Sequence, residues 1–398
     1  MRIVIFSELF YPHGGGAELA TWLYSKLLVE KGFEVTVVTR QFPGEASVEF
    51  LSNGMKIFRV PMRIAFGSRY DTLANAGVLA SSFIRRLIKE SDIVYVPCGW
   101  YSVIPLAKIY GKPVVVHMHN YSIVCPTSLM YDFVNHRVGT SSLKSFLLHE
   151  IIERRRGVLL TAVSALMNEL LGRHYNRLST LADAIIFVSR AQMDLALSRT
   201  PLLKKKSYAI YNPIPNLPLI ESERKGIGYF GGRSFVKGFY TLMEAFKTFR
   251  YGGVEAYMAM TWRDYKTVRL DNGILVNFMP RINPESVMKK LSIVVVPSLI
   301  PEPSPYVLVE SMLYGKLIIA SNVGGIPEIA SSCLAGVKLV EPGGYVAIAG
   351  ALNHFLSFDL EEINEIGVKN REYILKRLNN EDILKHFIKI LHQALDST

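Results

Sequence analysis

The chain has 398 residues, which is too long for one ordinary hydrophobic core, and its 49% hydrophobic and 20% charged content excludes a disordered protein. A net charge of +11 indicates an anionic partner: nucleic acid, a lipid surface or a phosphorylated substrate. The three cysteines have no close spacing, which fits a reducing compartment, and no apolar run is long enough to predict a spanning helix.

Short β-branched segments alternate with helix-length amphipathic segments, beginning with a strand rather than a signal peptide. In the first half we predict strands at Arg2–Phe6, Val35–Thr39, Ile93–Val96, Val114–His117 and Ala184–Ser189. In the second half we predict strands at Ile227–Gly231, Ala256–Met260, Ile274–Phe278, Ile293–Val296, Leu317–Ser321 and Val337–Val340. Apolar strands separated by helices are typical of parallel sheets covered on both faces, so the sequence predicts an α/β fold with two doubly wound halves.

Three glycines, Gly14, Gly15 and Gly16, follow the first predicted strand and precede a helix expected from about Ala17. They let backbone amides approach a ligand closely, and a plain tight turn is the alternative. Their spacing does not match the dinucleotide fingerprint.

Two basic, apolar segments, 83–89 and 149–156, fit a surface that rests on anionic lipid. Solvated helix faces are the more ordinary explanation of both. No stacking motif or zinc finger accompanies the positive charge, so a nucleic-acid partner is not expected.

Two histidines, His117 and His119, stand at the end of a first-half strand and share one face of it. Metal binding would need further ligands, and none is close in sequence. Usually one histidine of such a pair is structural, and the position at the strand end favours His119 as the functional one.

A proline-rich linker, residues 211–218, separates the two halves, which places the domain boundary near residue 215. The predicted domains are 1–214 and 215–375, followed by a helical end at 376–398. In the second half, Arg233 and Lys237 stand among glycines directly after a strand, a combination that suits a diphosphate. A solvated basic loop is the alternative.

Two carboxylates, Glu302 and Glu310, follow the strand at 293–296, on a loop and on the helix after it. The carboxyl ends of parallel strands form the ligand-binding edge of an open α/β sheet. The segment 321–328 follows another strand and either lines the same edge or forms an ordinary turn.

The helix between the two glutamates is expected to begin with Ser304 as N-cap and Pro305 as its first residue. The amides of Tyr306 and Val307 would then point out of the helix start towards an anion or a ring of hydroxyls.

The ordered motifs, including "YPHGGGAE", "HNYSIVCP", "GGRSFVKGFYTLMEAF" and "VVVPSLIPEPSPYVLVESMLYGK", together resemble the family 4 retaining glycosyltransferases over nearly the whole chain. The resemblance implies the GT-B fold, two Rossmann-like domains that face a central cleft, with the final helix crossing back to the first domain. The first domain is then expected to bind the acceptor and the second the nucleotide sugar.

The resemblance also implies roles for the second-half residues. Arg233 and Lys237 match the pair that binds the diphosphate, and Glu310 matches the glutamate that holds the ribose. Glu302 matches the glutamate that faces the donor sugar near the reacting carbon. Ser304 and Pro305 stand where the family often has Phe-Gly, which leaves the identity of the donor sugar open.

In the first half, His119 matches the histidine that reaches the sugar, and Gly15 and Gly16 match the loop that meets the diphosphate. The implied enzyme is a retaining glycosyltransferase with a glycan or lipid-linked acceptor. The cysteine usage and the two basic segments add the expectation of a cytoplasmic protein that is peripheral on the inner face of the membrane. It needs no cofactor, and no Asp-x-Asp pair for a metal-bound diphosphate occurs. The alternatives are a sugar-nucleotide epimerase, a phosphorylase and a non-catalytic protein that binds a nucleotide sugar within a larger assembly.

Overall fold

The computed structural model of the protein describes residues 1–62, 76–125, 127–139, 142–153, 158–248, 253–260, 265–280, 284–330 and 334–397. The chain divides into two compact units. Unit 1 comprises Met1–Leu129, Leu159–Ile214 and Asn379–Thr398, and unit 2 comprises Met130–Val158 and Pro215–Leu378. The sequence assigned residues 130–158 to the first domain, whereas their contacts place them with the second.

The described strands are β1 (Arg2–Ser7), β2 (Glu34–Arg40), β3 (Val48–Phe50), β4 (Lys56–Val60), β5 (Ile93–Cys98), β6 (Val114–Met118), β7 (Tyr131–Asp132), β8 (Arg137–Val138), β9 (Ala184–Phe187), β10 (Ser207–Ala209), β11 (Gly226–Tyr229), β12 (Glu255–Ala259), β13 (Lys266–Arg269), β14 (Leu275–Met279), β15 (Leu291–Val296), β16 (Leu317–Ser321) and β17 (Val337–Val340). Every strand predicted from the sequence is present, with ends that differ by no more than two residues.

The described helices are α1 (Gly16–Glu30), α2 (Ser82–Glu90), α3 (Val103–Ile109), α4 (Leu143–Ile152), α5 (Val158–Ser179), α6 (Arg190–Leu197), α7 (Phe239–Thr248), α8 (Glu285–Met288), α9 (Tyr306–Leu313), α10 (Ile326–Ile329), α11 (Tyr345–Ser357), α12 (Leu360–Arg377) and α13 (Asn380–Asp396). None of them is long and apolar enough to cross a membrane.

Unit 1 is built on a sheet whose described strands run in the order β10-β9-β6-β5-β1-β2-β4-β3. All neighbours pair in parallel except β3 and β4. The β6 and β9 strands are buried along their whole length, because helices cover both faces of the sheet. The polypeptide adds strands outward on one side of β1 and then begins the other side with β5, so the switch point lies between β1 and β5.

Unit 2 repeats this plan, with described strands in the order β13-β14-β12-β11-β15-β16-β17. Among these described strands, only the edge pair β13 and β14 is antiparallel. The polypeptide builds outward from β11 through β12 and β14, and then from β15 through β17, so the switch point lies between β11 and β15. Both loops with the predicted second-half site residues leave the sheet at this switch point.

The last helix, α13, packs within unit 1. The ring of Phe387 lies with its centroid 4.5 Å from the Tyr24 ring, 5.2 Å from the Tyr95 ring and 6.2 Å from the His117 ring. The Asn380 side chain is hydrogen-bonded to both the amide and the carbonyl of Ile214, at 2.8 and 2.9 Å. The helix therefore completes the core of the unit that begins with the first strand.

The structure describes all of the first basic segment and only part of the second. In α2, Arg86 pairs with Glu90 at 4.0 Å and the ammonium of Lys89 lies 4.8 Å from the Tyr110 ring centroid. The arginines at 154–156 of the second segment lie outside the described residues. Cys125 is a buried thiol with Sγ 3.3 Å from the Thr127 hydroxyl, and Cys333 also lies outside the described residues.

Candidate functional site

Two loops meet at the switch point of unit 2: the basic loop, residues 231–238 after β11, and the glutamate loop, residues 297–305 after β15. The Leu299 amide donates to the Val236 carbonyl at 2.8 Å. Gly238 has φ +78°, and a Cβ atom there would lie 1.9 Å from the Pro297 carbonyl oxygen. Only glycine therefore allows the two loops to approach this closely.

The carboxylate of Glu302 is held by both loops. The Lys237 ammonium lies 2.5 Å from Oε1 of Glu302, and the Ser298 hydroxyl donates to the same oxygen at 2.9 Å. Glu302 is buried, while the Lys237 side chain is 40% exposed. Among the described residues none donates to Oε2, so this oxygen can accept a hydrogen bond from a ligand.

The segment 321–328 packs directly against the backbone of Glu302. The Gly325 amide donates to the Glu302 carbonyl at 2.7 Å. Gly324 has φ +62°, and a Cβ atom there would lie 2.5 Å from the same carbonyl oxygen. Both interpretations that the sequence left open hold, because the segment contacts the glutamate loop and also leads into α10 with Gly325 as its N-cap.

A third acidic side chain, Glu153, reaches the basic loop from the end of α4. One oxygen, Oε1, accepts from the Val236 amide at 2.8 Å and from the Ser234 hydroxyl at 3.2 Å. The Ser234 hydroxyl in turn accepts from the Lys237 amide at 3.2 Å. Glu153 was not predicted as a site residue, because nothing in the local pattern around it shows that it meets a loop about 80 residues later.

The start of α9 differs from the prediction by one residue. Pro305, not Ser304, is the N-cap, because its extended ψ of 116° keeps it outside the helix while its carbonyl accepts from the Leu308 amide at 3.1 Å. No side chain caps this helix. The assignment of Ser304 as N-cap and Pro305 as first helical residue was therefore wrong, and Tyr306 and Val307 are the first two helical residues.

Glu310 lies one turn further along α9. Burial raises the pKa of its carboxyl group to about 7. Arg233, in contrast, is exposed on the basic loop, next to Gly232, whose φ is +68°. The structure thus brings Lys237 and Glu302 into contact and places Tyr306, Val307 and Glu310 on a single helix.

In unit 1, the two histidines stack with ring centroids 4.4 Å apart. Nδ1 of His117 lies 2.7 Å from the Tyr95 hydroxyl, whereas neither ring nitrogen of His119 has a hydrogen-bond partner among the described residues. Burial lowers the pKa of His119 to about 3, so its imidazole is neutral near pH 7. A neutral ring can donate a hydrogen bond from one nitrogen and accept one at the other.

The glycine loop follows β1 and starts α1 at Gly16. Gly15 is the N-cap, and its amide donates to the Glu18 carboxylate at 2.7 Å. The amide that the resemblance assigns to a diphosphate therefore has an internal partner. Gly15 and Gly16 lie at the carboxyl end of β1 and His119 lies at that of β6, with β5 between these strands.

Within the described ranges, no three histidine, cysteine, aspartate or glutamate side chains group closely enough to hold a metal ion. The described site residues themselves are cations, carboxylates and a neutral imidazole.

Comparisons with known proteins agree with this architecture. Among solved structures, sucrose-phosphate synthase from Thermosynechococcus elongatus superposes with a TM-score of 0.70 at 17% identity, covering 100% of both chains. Anabaena HepE in complex with UDP-glucose superposes with a TM-score of 0.69 at 18% identity, covering 98% of this chain and 99% of that one. These likenesses establish the GT-B fold.

Sequence relatives include an uncharacterized 42.6 kDa protein in the cps region of Klebsiella pneumoniae, 24% identical over 83% of this chain and 87% of that protein. A subunit of the human phosphatidylinositol N-acetylglucosaminyltransferase is 30% identical over 18% of this chain and 15% of its own length. Lipopolysaccharide 1,2-N-acetylglucosaminetransferase of Salmonella typhimurium is 30% identical over 24% of each chain.

Two family models cover most of the chain. The model for Glycosyl transferases group 1 matches residues 224–357, and the model for Glycosyltransferase Family 4 matches residues 14–215. With the two doubly wound sheets, these matches define an enzyme that transfers a sugar, a glycosyltransferase of the GT-B type. The chain belongs to Glycosyltransferase Family 4.

Proposed function

We propose that the protein is a retaining, metal-independent glycosyltransferase that moves a hexosyl group from a nucleotide diphosphate sugar to a hydroxyl of a lipid-linked or membrane-proximal acceptor. The observation that carries the proposal is the Lys237–Glu302 pair at the switch point of unit 2, with Ser298 on the same carboxylate oxygen. A cation and a buried carboxylate in contact suit a ligand that joins a diphosphate to a sugar.

The diphosphate is assigned to the cations of the basic loop. Arg233 is exposed, and Lys237 is 40% exposed although it pairs with Glu302, so both can reach a ligand. Negative charge builds on the diphosphate as it departs, and fixed cations stabilise it without a metal ion. Amides at the starts of α9 and α1, those of Val307 and Gly16, point out of their helices and are further candidates.

The sugar and the ribose are assigned to the carboxylates. Oε1 of Glu302 is occupied by Lys237 and Ser298, which leaves Oε2 to accept hydrogen bonds from sugar hydroxyls. The same oxygen would stabilise positive charge at the anomeric carbon. Glu310 is assigned to the ribose hydroxyls, and a hydrogen bond from them favours its ionised form. His119 is assigned to the sugar by the family resemblance. Its neutral ring, whose nitrogens have no hydrogen-bond partner in the described part of the chain, suits a hydroxyl partner.

The proposed reaction breaks the bond between the anomeric carbon and the diphosphate oxygen. The acceptor hydroxyl oxygen forms its new bond to that carbon on the same face, and its proton passes to the departing phosphate oxygen. The configuration is then retained without a covalent enzyme intermediate. Glu302 supplies charge stabilisation and orientation in this scheme.

The names of relatives support the choice of substrates. HepE was solved with UDP-glucose, and two relatives are named as N-acetylglucosamine transferases, one of them acting on phosphatidylinositol. UDP-glucose and UDP-N-acetylglucosamine are therefore the first donors to test, with a lipid acceptor. A thermal-shift panel of nucleotide sugars should identify the donor, because a bound ligand stabilises the folded state in proportion to the logarithm of its concentration over Kd.

Two substitutions test the site with that donor. We expect Glu302→Gln and Lys237→Ala each to lower the transfer rate by about 10²–10³-fold, the usual effect of removing one charge-stabilising group, while circular dichroism stays unchanged. Lys247→Ala, an exposed lysine on α7, is the matched control. Retained turnover in both site variants would refute the site.

Two other results would identify a different enzyme. Release of an altered sugar nucleotide without acceptor would identify an epimerase, and a requirement for free phosphate would identify a phosphorylase.

A further inference from the structure

Helix α5 of unit 1 exposes a stripe of large apolar side chains. Val163, Leu166, Met167 and Leu170 are 63%, 61%, 38% and 53% exposed. Their spacing of i, i+3, i+4 and i+7 places them on one face of the helix. We call this face the α5 stripe.

The α5 stripe is not the side by which the helix joins the core. Leu171, Tyr175 and Leu178 are buried, and helical spacing places them beside the stripe rather than within it. The apolar surface of the helix is therefore wider than the part that the described residues cover. Apolar side chains that are exposed contiguously, rather than singly, mark an interaction surface.

Cations continue the stripe along the same face. Arg173 and Arg177 follow Leu170 at i+3 and i+7, and both are exposed. They line a cavity of about 280 Å³ together with Arg199, which follows α6. One helix face thus passes from apolar to cationic, ending at a pocket with three guanidinium groups.

Hydrogen bonds connect the walls of the pocket to α5. The Asn176 side chain donates to the Ile123 carbonyl at 3.1 Å and to the Thr200 hydroxyl at 2.9 Å, which ties both walls to α5. The Glu169 carboxylate also lines the pocket and pairs with Arg173 at 3.1 Å. Among the described residues, no carboxylate lies within ion-pair distance of Arg177 or Arg199.

We propose that the α5 stripe and the arginine pocket dock the protein on a membrane surface that carries anionic phospholipid, with lipid phosphates on Arg177 and Arg199. Guanidinium groups bind phosphate through paired hydrogen bonds. An amphipathic helix with this composition lies in the interface with its apolar side chains among the acyl chains. The proposal deepens and rests on the proposed function, because it names the surface that meets a membrane-proximal acceptor.

The dimensions favour a lipid surface over a protein partner. The apolar part of the stripe spans about seven residues, a rise of about 10 Å, whereas a stable protein interface buries about 800 Å² on each partner. Helix α2, the basic segment singled out from the sequence, is the weaker candidate, because Arg86 and Lys89 already have internal partners.

The test is co-sedimentation of the full chain with phosphatidylcholine vesicles and with mixed phosphatidylcholine–phosphatidylglycerol vesicles. We expect binding to the mixed vesicles only. The double variant Arg177→Ala/Arg199→Ala should weaken it by about 30-fold, since each cation near an anionic leaflet contributes about fivefold. Leu166→Gln/Leu170→Gln should weaken it at least about tenfold by removing buried apolar area. Lys56→Ala/Arg269→Ala, two exposed cations elsewhere, should leave binding unchanged.

Three results would overturn the proposal: no binding to the mixed vesicles, equal binding by all variants, or loss of binding in Arg85→Ala/Arg86→Ala of α2 alone. A dimer in light scattering that Leu166→Gln/Leu170→Gln converts to monomer, with vesicle binding unchanged, would assign the stripe to self-association instead. Thermal shift with the nucleotide sugar keeps the two proposals distinguishable. Failed vesicle binding with an intact shift refutes the docking surface alone, and an absent shift refutes the proposed donor site.

Discussion

At the scale of single residues, the two glutamates of the site, one on a loop and one on the following helix, have different environments. Glu302 has a lysine and a serine on one oxygen, whereas the carboxyl group of Glu310 is partly buried on α9, which raises its pKa to about 7. The sequence identified both side chains and their spacing. It could not show which one would be ion-paired, because that depends on a lysine 65 residues earlier in the chain.

The raised pKa of Glu310 predicts a pH-dependent stability. Between the ordinary value of 4.5 and about 7, the folded state binds more protons than the unfolded state, so the free energy of unfolding falls as the pH rises. We expect Glu310→Gln, which carries no charge, to be more stable than the natural protein by about 1–2 kcal/mol at pH 8, after allowance for partial exposure.

The measurement is urea denaturation on both sides of this range, at about pH 5 and about pH 8. At the lower pH the two proteins should differ much less, because the natural carboxyl group is then largely protonated in the folded state. An equal difference at both pH values would show that ionisation of Glu310 is not the cause. A stabilising change at this position would also fit a binding site that is maintained at some expense of stability.

At the scale of elements, the buried strands were predicted from the sequence, whereas the contact between two segments distant in the chain was not. Every apolar strand was found, because a strand covered on both faces is a continuous apolar run. Six strands were missed, because each is either only two residues long or only partly buried and so lacks a continuous apolar run: β3, β4, β7, β8, β10 and β13. The contact between α4 and the basic loop was missed because it is set by tertiary packing and not by local pattern.

That contact makes Glu153 a testable positioning residue for the basic loop. We expect Glu153→Ala to raise KM for the donor by about 5- to 100-fold with a smaller change in kcat, because two hydrogen bonds to the loop are lost. Glu153→Gln keeps an oxygen that accepts both bonds and should stay close to the natural enzyme. Steady-state kinetics with the donor varied provides the measurement.

Glu244→Ala, an exposed glutamate on α7, is the control for loss of an acidic side chain in the same unit. A Glu153→Gln variant as defective as Glu153→Ala would show that the negative charge, rather than the hydrogen bonds, matters. Unchanged KM in Glu153→Ala would show that the basic loop holds its shape without this contact.

At the scale of the whole molecule, the last helix belongs to the unit that begins the chain. Phe387 is fully buried against Tyr24, Tyr95 and His117, the histidine that stacks on His119. We expect Phe387→Ala to lower the free energy of unfolding by about 3–5 kcal/mol, the usual effect of emptying a large aromatic site.

Chemical denaturation followed by tryptophan fluorescence provides the measurement, and Leu375→Ala on α12 is the control. Leu375 is 42% exposed, so its loss should change stability by no more than about 0.5 kcal/mol. A small effect of Phe387→Ala would mean that α13 docks loosely, and deletion of residues 379–398 should then also be tolerated.

The path of the chain between the units also bears on how such enzymes can be recombined. Along its length, the polypeptide changes unit at 129/130, 158/159, 214/215 and 378/379. In a chimera that exchanges only residues 215–378, the basic loop would come from the relative while Glu153, which contacts that loop, would come from this protein. A chimera designed to exchange donor specificity with a relative should therefore be active more often when residues 130–158 are exchanged together with 215–378, because both segments belong to unit 2.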